Sequence, residues 1–186
     1  MDQMLRILIA YDTTEGQTRK IAQHVADAIV RSGQEVQVID IRRRSSGFTL
    51  DGHDSIVIGA SIHMSKHSRQ LSEFVRRHMA CLNTVSSGFF SVSLSAAGSE
   101  NERADASRFV EEFLVQTGWN PAIKATFAGG LLYREYGFLK RWMMKKIARD
   151  AGKDTDASKN HEYTDWNAVD QFVGGFLAHL EQQEGT

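Results

Sequence analysis

Seven residues form a segment whose hydroxyl and backbone N–H groups could bind an anion, directly after the first apolar run of the chain at residues 5–11. They are Asp12, Thr13, Thr14, Glu15, Gly16, Gln17 and Thr18. Threonine hydroxyls donate hydrogen bonds to phosphate oxygens, and a glycine lets backbone N–H groups approach a ligand closely. A helical pattern begins at once after them, and a helix N-terminus favours negative charge. The segment therefore predicts a phosphate-binding loop that needs no metal.

The sequence of this loop separates several kinds of phosphate site. It lacks the Gly-x-x-x-x-Gly-Lys-Ser/Thr pattern of ATP and GTP sites and the Gly-x-Gly-x-x-Gly pattern of Rossmann dinucleotide sites, so neither ligand class is predicted. A purely structural alternative stays open. Threonine and aspartate are common helix N-caps, and the same residues would then serve only to start the helix.

Two histidines four residues apart, His63 and His67, follow the third apolar run of the chain. A metal site is one interpretation of this spacing, but the surrounding sequence offers no third ligand and no helical pattern between them. We therefore predict no metal and interpret His63 as a polar wall of a ligand pocket. Its use as a proton acceptor stays open, and no catalytic residue is assigned.

The elements that must position these residues alternate along the chain. Strands are predicted at residues 5–11, 35–41, 55–60, 89–94 and 123–128. Helical spacing of apolar residues is found at 17–32, 71–78, 109–114 and 166–180. This alternation predicts an α/β fold with a doubly wound, five-stranded parallel sheet, in which ligands bind at the carboxyl ends of the strands.

The chain is predicted to be one domain, residues 1–186, because it has one proline and no low-complexity linker. The stretch before the last helix, about residues 131–162, is too long for a plain connection and is interpreted as an insertion with its own helix. The insertion is basic. Between Arg134 and Lys153 the net charge is +5, whereas the remainder carries −6 and the whole chain −1.

Within the insertion, residues 137–151 form a basic amphipathic pattern. Its apolar side contains Phe138, Leu139, Trp142, Met143 and Ile147, and its basic residues are Lys140, Arg141, Lys145 and Lys146. Such a helix suits a membrane surface or an apolar ligand groove, and Tyr133 and Tyr136 could line the same pocket. The alternative is a helix packed on the core with a solvated charged face.

Composition bounds the location of the protein. Hydrophobic residues make up 41% of the chain and charged residues 24%, which is typical of a globular domain. The single cysteine, Cys81, excludes an internal disulfide, and no apolar run approaches the ~20 residues that span a bilayer. No signal sequence is recognised at the start. These features predict a cytoplasmic protein, with peripheral contact at the inner face of the cell membrane through the basic helix.

Residues 12–18 resemble the FMN-phosphate loop of flavodoxins, although Glu15 replaces the small hydroxyl residue of the short-chain members. They are more similar to the quinone-dependent (menaquinone-dependent) protoporphyrinogen IX dehydrogenase family, a flavodoxin-fold family with an acidic residue at that place and a long basic insertion before the last helix. Residues 57–62, 89–94 and 163–166 also resemble that family, in the same order. The resemblance implies a flavodoxin-like fold.

The resemblance also implies a cofactor and a reaction. FMN would lie between the phosphate loop and the loops after the third and fourth strands. The implied binding residues are Thr13, Thr14, Glu15, Gly16, Gln17, Thr18, Ser61, Ile62, His63, Ser95, Ala96, Ala97 and Gly98. Electrons would pass from protoporphyrinogen IX, in haem biosynthesis, through FMN to a membrane quinone, with no nucleic acid as a partner.

Two other functions on the same fold stay open. A flavodoxin that carries electrons between proteins usually stacks an aromatic residue on the flavin, and neither predicted ring loop contains one. A soluble NAD(P)H:quinone reductase is the other alternative, and no feature of the sequence marks a nicotinamide site.

Overall fold

Strands and helices alternate along the computed structural model, which describes residues 4–45, 47–131 and 161–184. The strands are β1 (Arg6–Asp12), β2 (Glu35–Asp40), β3 (Ser55–Ser61), β4 (Ser86–Ser93), β5 (Ile123–Ala128), β6 (Gly130–Leu131) and β7 (His161–Glu162). The helices are α1 (Gln17–Arg31), α2 (Arg69–Leu82), α3 (Glu100–Thr117) and α4 (Trp166–Glu184).

Five strands form one parallel sheet in the order β2-β1-β3-β4-β5, which confirms the predicted doubly wound fold. The chain leaves β1 toward β2 on one side and later returns to β3 on the other. The connections after β1 and β3 therefore diverge and leave a crevice at the carboxyl ends of these strands, where ligands bind in such sheets.

The core lies on both faces of the sheet because the central strands are apolar along their whole length. Along β1, Ile7 and Ile9 face the cluster that α1 and α4 cover, whereas Leu8 and Ala10 face the cluster that α2 and α3 cover. The final helix contributes Phe176, which is fully buried. Both faces thus hold the strand ends rigidly beneath the site.

A short antiparallel strand pair that the sequence did not predict lies at the two ends of the insertion. Its two strands, β6 and β7, pair antiparallel through Gly130 with Glu162 and Leu131 with His161. The predicted basic helix lies outside the described residues, and with it Tyr133, Tyr136, Phe138, Lys140, Arg141, Trp142, Lys145 and Lys146. In the described ranges, no helix has the length and apolar character needed to cross a bilayer.

Candidate functional site

A cleft of about 280 Å³ opens at the carboxyl ends of β1, β3 and β4. Its walls come from the loop after β1, the loop after β3, the end of β4 and one helix. The lining residues are Thr13, Thr14, Glu15, Gln17, Thr18, Ser61, Ile62, His63, Met64, Ser65, Val92, Ser93, Leu94, Ser95, Phe109 and Gly129. The loop after β1 contributes threonine hydroxyls to this lining, whereas the other walls contribute both apolar side chains and serine hydroxyls.

The loop after β1 presents an open helix N-terminus to the cleft. Gly16 is the N-cap of α1, in a left-handed conformation with φ of +90°, and no described side chain caps the helix. The loop closes on itself, since the Gly16 N–H donates to Thr13 Oγ1 at 2.9 Å. The first N–H groups of α1 are thus left without a side-chain cap, as an anion site requires. The alternative of a Thr- or Asp-capped helix start is wrong, because the cap is a glycine.

The loop after β3 forms the opposite wall as a tight two-residue turn. His63 and Lys66 exchange backbone hydrogen bonds of 2.9 and 3.1 Å, and the Ile62 N–H donates to the Val92 carbonyl at 2.8 Å. Met64 and Ser65, between them, have φ of 49° and 64°. Non-glycine residues rarely adopt this region, so the cleft wall contains a strained turn. Met64 is 82% exposed at its tip.

The two histidines have different surroundings. His63 is exposed and lines the cleft. His67 Nε2 lies 3.0 Å from Ser91 Oγ, and its ring contacts those of Phe89 and Phe113. Burial lowers the pKa of His67 to about 4, although the charge of Asp12 opposes this shift. His67 is therefore neutral at physiological pH and belongs to the core, whereas His63 belongs to the site.

Glu15 lines the cleft with a carboxylate that is partly desolvated. Burial raises the pKa of this carboxyl above its usual 4.5, and the charge of His63 acts in the opposite direction. The ionised carboxylate of Glu15 therefore destabilises the folded protein, and this loss of folding stability is present at neutral pH.

Glu15→Gln is accordingly expected to stabilise the ligand-free protein at pH 7. The gain should shrink as the pH falls through the Glu15 pKa, because the wild-type carboxyl is then also neutral. Urea unfolding of both proteins at pH 7 and at pH 4 measures this difference. A gain of equal size at both pH values would show that the charge of Glu15 is not its origin.

Most of the predicted site residues meet in this cleft. Those that line it are Thr13, Thr14, Glu15, Gln17, Thr18, Ser61, Ile62, His63 and Ser95. Gly16 is not among the lining residues; it shapes the loop through its positive φ. The structure thus brings the predicted phosphate loop and the predicted first ring loop together at one cleft.

Ala96, Ala97 and Gly98 do not line the cleft. After β4 the chain enters a 3₁₀ turn, Ser95–Ala97, in which backbone N–H groups donate to acceptors of the same segment. The N–H groups of these three residues donate, in order, to Ser93 Oγ, the Leu94 carbonyl and the Ser95 carbonyl. These three N–H groups are therefore already hydrogen-bonded within the protein, and on this side the cleft is lined by the preceding residues Val92, Ser93, Leu94 and Ser95.

Sequence reasoning also missed residues that lie far along the chain. Phe109, from the middle of α3, lines the cleft, and the Arg108 guanidinium lies 5.2 Å from the centroid of its ring. The spacing of Phe109 had marked it only as part of a helix. The other lining residues outside the list of implied binding residues are Val92, Ser93, Leu94 and Gly129, together with Met64 and Ser65 of the predicted first ring loop.

Thr164 ties the phosphate loop to the far edge of the sheet. Its hydroxyl donates to the Ala128 carbonyl at 2.7 Å and accepts from Gln17 Nε2 at 2.9 Å. One turn further along α1, Lys20 pairs with Glu162 at 3.0 Å. The residues that follow the insertion thereby hold the start of α1 beside the end of β5.

Comparison with known proteins places this geometry in a family. A family model described as a flavodoxin domain matches residues 8–158. The protoporphyrinogen IX dehydrogenase [quinone] of Escherichia coli strain K12 is 34% identical over 176 residues, which are 95% of this chain and 96% of that protein. The protein of the same name from Leishmania major is 32% identical over 177 residues, which cover 95% of this chain and 76% of that one.

Solved structures support the fold. Oxidised flavodoxin 1 from Bacillus cereus matches with a TM-score of 0.55 and 18% identity, over 94% of this chain and 98% of that one. A short-chain flavodoxin associated with a bacterial microcompartment matches with a TM-score of 0.57 and 14% identity, over 95% and 99%. The sheet order, the uncapped phosphate loop and these matches agree: the chain belongs to the flavodoxin domain family and, within it, to the family of the protoporphyrinogen IX dehydrogenase [quinone] proteins.

Proposed function

We propose that the chain is an FMN-dependent oxidoreductase that takes electrons from protoporphyrinogen IX and passes them to a quinone. The observation that carries this proposal is the 34% identity to the E. coli enzyme of that name along 95% of the chain. The geometry of the cleft supplies an independent reason to propose FMN.

The hydroxyl-rich end of the cleft fits the phosphate group of FMN. Thr13, Thr14 and Thr18 line it, and the uncapped N-terminus of α1 opens beside them. A Cβ added to Gly16 would meet nothing within 4 Å, so the loop leaves open space at its turn. Backbone N–H groups, hydroxyls and a helix dipole together bind a phosphate dianion without a metal.

The other end of the cleft fits a flat, mostly apolar ring with a polar edge. Ile62, Val92, Leu94 and Phe109 supply apolar surface, and Ser61, Ser93 and Ser95 supply hydroxyls. When bound there, FMN would accept a hydride equivalent from one partner and release electrons to the next. The protein's part is to fix the phosphate, orient the ring and leave one side accessible.

Protons must also leave the porphyrinogen when its macrocycle is oxidised. Among the described lining residues, Glu15 and His63 carry the ionisable side chains. The two lie close enough together that the charge of His63 lowers the pKa of Glu15. We assign these two side chains as the groups in place to accept protons at the cleft. Replacing either leaves the other, so single variants should retain partial turnover.

An electron-carrying flavodoxin is a second candidate, and Phe109 is the observation that favours it. The predicted ring loops lack the aromatic residue that a carrier usually stacks on the flavin, but Phe109 of α3 supplies one to the cleft. The two candidates differ in the electron donor. A carrier reacts with a reduced protein, whereas the dehydrogenase reacts with the porphyrinogen itself.

The test is anaerobic rapid mixing of FMN-loaded protein with one donor at a time. Protoporphyrinogen IX is expected to bleach the flavin absorbance within the mixing experiment, and NADPH is expected to leave it unchanged. Bleaching by NADPH but not by the porphyrinogen would favour a quinone reductase and contradict the proposal. Bleaching by neither would favour the carrier.

We further propose that the basic insertion brings the protein to anionic membranes, where quinones reside. The support is charge: residues 134–153 carry +5, and each Lys or Arg near an anionic surface contributes about 1 kcal/mol that salt screens. Wild-type protein is expected to sediment with anionic vesicles at low salt and to be released at high salt. Changing Lys140, Arg141, Lys145 and Lys146 to Gln should abolish sedimentation while FMN is retained. Vesicle binding that survives these changes would overturn this part.

A further inference from the structure

A buried ion pair lies behind the phosphate loop. Asp12, the last residue of β1, is fully buried. Its two carboxylate oxygens accept hydrogen bonds from Arg42 Nε and from Ser68 Oγ. Arg42 comes from the 3₁₀ turn after β2 and Ser68 caps α2, so three separate segments meet at this carboxylate. A buried carboxylate needs such partners, because an unpaired one is strongly disfavoured.

Arg42 makes one more contact, and it leads into the cleft. Its Nη2 donates to Thr14 Oγ1 at 3.1 Å. A guanidinium can only donate, so Thr14 must be the acceptor in this bond. The hydroxyl hydrogen of Thr14 is therefore directed elsewhere. Thr14 lines the cleft, which makes a phosphate oxygen the acceptor that this geometry favours.

Charge gives Arg42 a second effect on the same ligand. Asp12 directly precedes the loop, and its negative charge alone would repel a phosphate dianion. The guanidinium cancels that charge. The neighbouring Arg43 differs: its side chain is 86% exposed and its Nε lies 3.6 Å from Asp40, away from this ion pair. The two arginines thus form a natural comparison within one turn.

We propose that Arg42 is a positioning residue that makes the cleft select a phosphorylated flavin over the unphosphorylated one. It acts through Thr14, whose hydroxyl it orients toward the phosphate, and through Asp12, whose charge it cancels. This inference rests on the proposed binding of FMN. FMN and riboflavin share the same ring, so their relative affinity isolates the phosphate group.

The experiment compares Arg42→Met with the matched control Arg43→Met. Apoprotein is titrated with FMN and with riboflavin, and quenching of flavin fluorescence gives each Kd. Losing one oriented hydrogen bond to a charged group corresponds to about tenfold or more in affinity. Arg42→Met is expected to raise the Kd for FMN by at least about that factor and to leave the Kd for riboflavin within about twofold. Arg43→Met should change neither.

A second variant guards against misfolding, because Arg42→Met leaves Asp12 buried and unpaired. Asp12→Asn with Arg42→Met removes both charges, and its unfolding transition should remain cooperative. It is expected to recover the part of the FMN affinity that the unpaired Asp12 charge costs, and to keep the part of the selective loss that comes from Thr14, whose hydroxyl is still not oriented. Equal losses for FMN and riboflavin, or recovery of the full wild-type FMN affinity in the double variant, would overturn the inference, because Thr14 would then contribute nothing. Failure of wild-type protein to bind FMN would instead overturn the proposed function.

Discussion

Gly16→Val is expected to weaken FMN binding at least about tenfold more than the matched change Gly33→Val. The two glycines have nearly the same backbone, with φ of +90° and +91°, and an added Cβ at either meets nothing within 4 Å. Valine is strained in this region by about 1–3 kcal/mol wherever it occurs. The two variants should therefore lose similar amounts of stability.

The two variants should differ in FMN affinity because the two glycines lie at opposite ends of α1. Gly16 is the N-cap of α1, and its N–H closes the loop on Thr13, whereas Gly33 follows the other end of the same helix. Strain relieved by moving residue 16 displaces the N–H groups that face the phosphate. Urea unfolding and FMN titration of both variants measure the two effects. Equal losses of FMN affinity would mean that the loop has no direct part in binding.

Gly59→Ala is expected to lower the free energy of unfolding by about 3 kcal/mol. Gly59 lies in β3, and Phe90 is its partner across the sheet in β4. An added Cβ would lie 2.1 Å from the Phe90 ring, which is fully buried and has no open space to enter. Overpacking of a core costs about 1–3 kcal/mol, and this contact belongs at the upper end.

Gly174→Ala is the matched control for this change. Gly174 lies on the exposed face of α4, and an added Cβ there meets nothing within 4 Å. Alanine is preferred over glycine within a helix, so this variant should gain about 0.5–1 kcal/mol. Urea unfolding of the two variants tests the signs directly. A Gly59→Ala protein as stable as wild type would show that the Phe90 ring moves aside without cost.

The alternation of apolar runs was sufficient to predict the five parallel strands, because buried strands in a parallel sheet are apolar on both faces. Boundaries were less predictable where polar residues are buried. β4 begins at Ser86, three residues before the predicted start, and Ser55 Oγ donates to the Ser86 carbonyl. α3 begins at Glu100, nine residues before the predicted helical spacing, because a capping box of Ser99 and Glu102 that the prediction did not use starts the helix there.

The walls of the cleft were also predictable only in part. The phosphate loop was predictable because its residues are contiguous and lie between a strand and a helix. The second ring wall was not, because the 3₁₀ turn after β4 uses the amides of residues 96–98 internally. Phe109 and Arg42 reach the site or its support from separate elements, and Arg42 lies 30 residues from its partner Asp12. Contacts of this range leave no local pattern.

The most direct test of the proposed function is anaerobic steady-state turnover of the FMN-loaded protein with protoporphyrinogen IX and a quinone. Formation of the fluorescent porphyrin is expected only when protein, FMN and quinone are all present, with quinone consumed in proportion. Protein carrying Gly33→Val should retain this activity, and protein carrying Gly16→Val should lose most of it at limiting FMN. Porphyrin formation that does not depend on the protein-bound flavin would contradict the proposed function. Quinone reduction that requires NADPH instead of the porphyrinogen would also contradict it.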